Sequence, residues 1–294
     1  MPFHPDNKSS RIRSMETICI SIGKNDPVPD RSDVRILPVY ALKGFSFSSA
    51  VPVEEEERPR KTPYGLMTNR LFREEELGEV AAMLERETAQ QAEVLYFADP
   101  AVLSLAENFF RKKLIYRPET LLACAGDVSF WLDTGIRGVS LSPVITAQET
   151  EEILQKCRNC EVMIHGKQLL SVSARKLLSA YQTATHGSFD PASISLYLEE
   201  ETRSEKMPVK ETEDGTMVFS GRELECFDRI RAFQMAGAMQ YMIAGEHMSP
   251  KDRETVIGIY ADLLHGRECR SAIGEYRRSH PDCTEGFYAE KTIL

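Results

Sequence analysis

Short apolar runs alternate with amphipathic stretches along most of the chain. The runs are Glu16–Ile22, Val34–Tyr40, Tyr64–Thr68, Glu93–Phe97, Lys113–Arg117, Arg137–Leu141, Glu161–His165 and Met239–Ile243. Apolar runs separated by helical segments are the signature of β/α units around a parallel sheet. Eight of them predict an α/β fold, a (β/α) barrel of the TIM type. Between them, Arg73–Gln90 carries Leu77, Val80, Ala81 and Leu84 at helical spacing. Thr120–Thr134 carries Leu121, Cys124, Val128, Trp131 and Leu132 on one side. Gln148–Cys157 follows a capping box, Thr146-x-x-Glu149. Glu223–Ala236 and Pro250–Leu264 are further amphipathic segments, the second with Ser249 as N-cap and proline in the first turn.

Two regions depart from this rhythm. The first link, GKNDPVPDRSD, holds two prolines and no apolar stripe, so no crossover helix fits there. The second, Ala41–Pro63, holds GFSFSSA and EEEERPRK, again without a stripe. The barrel is therefore expected to be irregular or incomplete in its N-terminal quarter. Residues 182–222 contain SISLYLEEE and MPVKETEDGTMVFS, and Asp214-Gly215 between two alternating runs is a hairpin signal. A small antiparallel hairpin insertion near residues 190–220 follows. Residues 1–14 are polar and unpatterned, which predicts a disordered extension ahead of one barrel domain over 15–294, with Met15 as an alternative start.

Composition narrows the class. The 294 residues are 42% hydrophobic and 28% charged, ordinary for a globular chain that buries a sizeable core. No apolar run reaches the roughly 20 residues that cross a bilayer, so no membrane role is expected. A net charge of −9 argues against a large direct contact with nucleic acid. Seven cysteines suit reduced thiols and a cytoplasmic location. Cys157-x-x-Cys160 has no second pair at zinc-ligand spacing and fits two plain thiols at a turn better than a metal or redox pair. No P-loop, G-x-S-x-G, H-E-x-x-H or G-x-G-x-x-G pattern occurs, and no catalytic set is assigned.

The stretch Met163–Tyr181, MIHGKQLLSVSARKLLSAY, reads as an apolar strand ending at His165-Gly166, then a polar turn, then Ser173, Arg175 and Tyr181. It resembles the signature region of peptidase family U32, the collagenase-like peptidases. AEVLYFADPAVLSLAENF, YGLMTNRLFREEELGEV, MQYMIAGEHMSPKDRETVIGIYADLL and CTEGFYAEKT resemble further blocks of that family, in its order, over roughly Tyr64–Leu294. Cluster-bearing members carry cysteines after the His-Gly and just after the Arg, where this chain has Leu169 and Lys176. The resemblance is to the short, cluster-less members. Some of these pair with a cysteine-bearing relative in prephenate-dependent hydroxylation of the wobble uridine of transfer RNA. It implies an accessory subunit with no iron–sulfur cofactor, partnered by that relative and touching transfer RNA only indirectly. Whether the chain is an enzyme stays open. A collagenase-like peptidase (a hydrolase) and a carboxylate- or peptide-binding module are the alternatives.

Candidate binding residues at the barrel mouth are His165, Gly166, Ser173, Arg175, Tyr181, Glu119 and Glu246, with no metal ligands among them. His165 ends a strand, where barrel sites lie, and suits a base or a substrate hydrogen bond; a structural histidine holding the turn is the alternative. Arg175 suits a grip on a carboxylate or phosphate, or a structural pair with Glu246. Glu119 and Asp99 follow neighbouring strands and suit acid–base work, or simply helix starts. Ser142-Pro143 and Met242-Ile243-Ala244-Gly245 stand where relatives often carry charges, which suggests a degenerate site, although Glu246 and His247 remain nearby.

Overall fold

A computed structural model describes residues 16–289 apart from 56, 58–62, 120, 192, 194, 195, 200, 202–204 and 239. The expected extension at 1–14 and the alternative start at Met15 fall outside these residues. In chain order the described strands are β1 (Thr17–Ile22), β2 (Arg35–Ala41), β3 (Gly65–Thr68), β4 (Val94–Phe97), β5 (Leu114–Tyr116), β6 (Gly138–Ser140), β7 (Cys160–Gly166), β8 (Leu169–Ser173), β9 (Tyr197–Glu199), β10 (Lys206–Thr212), β11 (Gly215–Phe219), β12 (Glu223–Glu225), β13 (Gln240–Ala244) and β14 (Cys283–Thr284). The helices are α1 (Leu77–Glu85), α2 (Glu87–Gln91), α3 (Pro100–Leu105), α4 (Asn108–Arg111), α5 (Ala125–Asp133), α6 (Ala147–Lys156), α7 (Leu177–Thr185), α8 (Ile230–Ala236), α9 (Pro250–Leu264) and α10 (Arg270–Ser279).

Strands β1 to β7 pair in parallel in sequence order, and β13 pairs in parallel with both β7 and β1. The sheet therefore closes on itself and leaves no barrel edge. All eight predicted strands are barrel strands. Their side chains alternate between an inner cluster of Cys19, Leu37, Val39, Met67, Val94, Tyr96, Ile115 and Met242 and an outer core that includes Ile18, Ile20 and Ile22. Burial on both faces is why these strands read as continuous apolar runs.

The N-terminal quarter is irregular in its connections and complete in its strands. No helix joins β1 to β2, and none is described between β2 and β3. Ion pairs fasten the first of these loops to α9 instead. Arg253, only 3% exposed, meets Asp26 at 2.7 Å, and Arg31 reaches Asp262 at 3.0 Å. Among the described residues, the large exposed apolar side chains of this quarter are Val51 and Leu71.

The helices keep their predicted places, although 73–90 is broken at Arg86 into α1 and α2 and 120–134 is helical only over α5. Ser249 caps α9 and Thr146 closes a capping box on α6, as their residue types dictate. The segment from Glu223 opens not as helix but as the short strand β12, which runs antiparallel to β7. The stretch after Gly166, expected as a polar turn, is strand β8. It joins β11, β10 and β9 in a separate antiparallel sheet. That sheet contains the predicted hairpin, β10 and β11, and is larger by two strands, β8 and β9. Its hairpin turns over Glu213-Asp214, and Gly215 (φ +137°) opens the return strand where a Cβ would lie 2.0 Å from the Ser173 carbonyl oxygen. Leu169, Met217 and Phe219 of this sheet pack with Phe47. We refer to it as the cap sheet, because Leu169 and Phe219 also line the cavity at the barrel mouth.

Candidate functional site

The C-terminal ends of the barrel strands carry the polar residues. Asn69 follows β3, Arg117 and Glu119 follow β5, and Glu246 and His247 follow β13. Arg117 Nε contacts Glu119 Oε1 at 3.2 Å, and Asn69 donates to the same oxygen at 3.2 Å. Glu119 sits at φ +59°, left-handed and outside any helix, so the expected helix-start role does not apply. Burial disfavours the charged guanidinium of Arg117, but Glu119 and then Glu161 outweigh it and raise its pKa. Below lies Glu161, 1% exposed, which accepts from Tyr96 Oη at 2.6 Å and Gln240 Nε2 at 2.8 Å. The barrel interior thus carries polar groups among its apolar cluster, and Glu161 Oε1 and Arg117 Nη1, 3.8 Å apart, make no hydrogen bond.

The cap sheet leaves a cavity of only about 30 Å³ over this network, bordered by Asn69, Arg117, Glu119, Leu169, Phe219 and Glu246. That is room for about one water. Beside it a cleft of about 810 Å³ opens between the cap sheet and the barrel rim. Ser49 is its polar corner. Its Oγ lies 2.8 Å from Glu246 Oε2 and 3.0 Å from His247 Nε2, and its N–H donates to the same carboxylate oxygen at 2.9 Å. Lys210 Nζ donates to the Ser49 carbonyl oxygen at 2.5 Å, and Lys167 Nζ donates to the Gly221 carbonyl oxygen at 2.5 Å. Burial lowers the pKa of Lys167, Lys210 and His247.

Of the residues expected at the mouth, Glu119 and Glu246 meet around the small cavity. Gly166 ends β7 at φ +103°, where a Cβ would lie 2.2 Å from the Ala244 carbonyl oxygen. His165 is not at the mouth. It is fully buried outside the barrel, bonded to Tyr260 Oη at 3.2 Å, Tyr276 Oη at 3.0 Å and Glu223 Oε1 at 2.8 Å. The pairing of β7 with β13 skips Ile164, and this bulge turns His165 outward where alternation from Glu161 would turn it in. Ser173 ends β8 and accepts from the Arg175 amide at 3.1 Å, while Arg175 and Tyr181 are exposed. None of these three lines either cavity, and Glu246 bonds Ser49 rather than Arg175. Asp99 caps α3 through Ala101 N at 2.8 Å. Ser49, Lys167 and Lys210 escaped sequence reasoning. Ser49 lies in an unpatterned link and Lys210 in the insertion, so only the folded chain joins them.

The positions that hold cysteines in cluster-bearing members do not suit an iron–sulfur cluster. Leu169 packs into the apolar cap cluster, and Lys176 brings an ammonium where a thiolate is needed. Among the described residues no three His, Cys, Asp or Glu side chains gather as a metal site, and no helix is long and apolar enough to cross a membrane.

The model of peptidase family U32 matches residues 51–292. The tRNA hydroxylation protein P2 of Bacillus subtilis (strain 168) is 24% identical over 205 residues, which cover 67% of this chain and 65% of that protein. The chain thus spans just under two thirds of the length of the curated relative it matches. A solved structure, that of the U32 peptidase Mk0906, aligns with 82% of this chain and 96% of its own at 13% identity and a TM-score of 0.43.

Proposed function

The chain belongs to peptidase family U32, and from that membership we propose that it acts in transfer RNA hydroxylation, as a cluster-less accessory subunit beside a cysteine-bearing relative. The observation that carries this reading is Leu169. A residue that relatives use to hold a cluster is here part of an apolar plug with Phe47, Met217 and Phe219. That position offers no thiolate to a cluster. The name of the Bacillus relative supports the pathway. The finer features, prephenate dependence, the wobble uridine as target and a cytoplasmic setting, come from the family resemblance; seven free cysteines are in keeping with the last.

Nucleoside mass spectrometry of transfer RNA from a strain lacking the gene tests it. The hydroxylated wobble uridine should disappear and return with the wild-type gene. It should return equally with Glu119→Gln, which keeps the mouth polar but removes its charge. An unchanged nucleoside profile would sink the proposal. Failure to co-elute with the cysteine-bearing relative would remove the accessory role and leave the pathway.

One contact favours a second reading, a hydrolase. Ser49 and His247 form a hydroxyl–imidazole pair at 3.0 Å facing the cleft. Against it, Glu246 holds the serine hydroxyl itself and does not orient the imidazole from behind. Hydrolysis of denatured collagen by the purified chain, lost in Ser49→Ala, would decide for this reading.

A further inference from the structure

We propose that β8, β10 and β11 of the cap sheet, with α7, form a hinged lid that swings as one body and uncovers the barrel mouth. The body of this lid is tied to itself. The β10–β11 hairpin and β8 make one antiparallel ladder. Glu211 of β10 accepts from the amides of Leu178 and Ser179 at 2.7 and 3.2 Å, which fastens α7 to that ladder. The Thr216 hydroxyl of β11 adds to this, accepting from the Leu177 amide and donating to the Arg175 carbonyl oxygen, each at 2.9 Å. The chain enters and leaves the lid side by side, where the Ser220 amide donates to the Gln168 carbonyl oxygen at 2.8 Å. A glycine stands close to that point on each side, Gly166 and Gly221. Hinges are a few such residues at the ends of elements, which absorb the change in backbone angles.

The seam between lid and barrel is slight. Its apolar part is Leu169, Met217 and Phe219 against Phe47, with Phe219 edge-on to the His247 ring at 4.7 Å. Its polar part includes Asp214 on Arg70 at 3.4 Å and Lys210 on the Ser49 carbonyl oxygen. Both contacts can be given up to water without stranding a buried group. Arg70 keeps Glu76 at 2.7 Å and the Gly44 carbonyl oxygen when Asp214 leaves. Asp214 and Lys210 are themselves half-buried, and burial works against both charges. It raises the pKa of Asp214 in spite of Arg70 and lowers that of Lys210 in spite of Glu246. Closure also seals Arg117 and Glu119 beneath the apolar cluster, around a cavity with room for about one water. Opening forfeits that small cluster and returns these charged groups to water. The opposed terms are both modest, which is the condition for populating two states. Open, the mouth presents Asn69, Arg117, Glu119 and Glu246.

The lid does not rest on a role in transfer RNA hydroxylation, since its motion is read on the purified full chain alone. Ser21 lines the cavity under the lid, and Ser21→Cys places a thiol of nearly the same shape there. Its alkylation by iodoacetamide, followed by peptide mass spectrometry, is compared with that of Cys226, fully buried in the outer core. The labelling rate of a covered thiol reports how often its cover opens. Ser21→Cys should label at least about tenfold faster than Cys226. Phe47→Leu loosens the seam from the barrel side. It should speed that labelling by about fivefold and leave hydrogen exchange of the β10–β11 amides unchanged. Met67→Cys lines the same cavity and stands in if Ser21→Cys does not fold. One common rate for both thiols would mean that the mouth opens only when the chain unfolds, and would overturn the proposal. So would loss of β10–β11 amide protection in step with the thiol, because the cap would then be unfolding rather than swinging.

Discussion

Replacing the imidazole of His165 removes its bonds to the hydroxyls of Tyr260 and Tyr276 and to the carboxylate of Glu223. Tyr260 keeps the Ile164 carbonyl oxygen as a partner, and Tyr276 and Glu223 keep each other. His165→Phe keeps a ring of similar size against Phe227 but makes none of these bonds. It should destabilise the chain by about 1–2 kcal/mol in urea unfolding, since the imidazole's buried hydrogen bonds are lost while its partners keep others. The residue type and its strand-end position were legible in the sequence; its direction was not. One skipped residue, Ile164, in the pairing with β13 reverses the face, and no periodicity in a single strand reveals a bulge that its partner defines. Glu119 and Glu246 were legible because they directly follow strands, whose ends the barrel gathers in space. Gly166→Ala should fail to fold or unfold far more readily in the same assay, with a Cβ 2.2 Å from a carbonyl oxygen and φ at +103°.

At the scale of elements, the missing crossover helix between β1 and β2 was readable from two prolines and the lack of an apolar stripe. What replaces it was not, because ion pairs between Asp26 and Arg253 span more than two hundred positions of sequence. Asp26→Asn leaves the buried Arg253 without its counter-charge and should cost about 2 kcal/mol at neutral pH, by thermal or urea unfolding. Arg253 lowers the pKa of Asp26, while burial opposes this. A carboxyl lowered in the folded state stabilises above its unfolded pKa, and that stabilisation is lost as pH falls through the folded pKa. The gap between wild type and Asp26→Asn should therefore be full at neutral pH and close on acidification below the ordinary carboxylate range. A gap that persists at low pH would mean that packing, not charge, holds the loop.

For the whole molecule, the eight-strand barrel followed from eight apolar runs, while the cap sheet was seen only as a hairpin. β8 was missed because Leu169–Ser173 is half-exposed and polar at its end, unlike any barrel strand. The cap sheet has a small apolar cluster of its own, against a core that runs around the entire barrel. Native-state hydrogen exchange should therefore open β9, β10 and β11 well before β1, β7 and β13. Met217→Ala should hasten exchange in the cap sheet and leave barrel protection in place. Simultaneous loss of protection in both would show that the two parts unfold as one.

The cap sheet leaves and rejoins the barrel through a narrow neck. The Ser220 amide donates to the Gln168 carbonyl oxygen and the Gln168 amide donates to the Ser220 hydroxyl across it, and Gly166 pairs with Leu224 just beyond. Everything between those two residues is, in effect, a graft on a closed stem. Its length and sequence can drift, or be swapped for another segment, without touching the strands that close the barrel. A lineage built this way can exchange what it recognises by replacing one contiguous piece of gene.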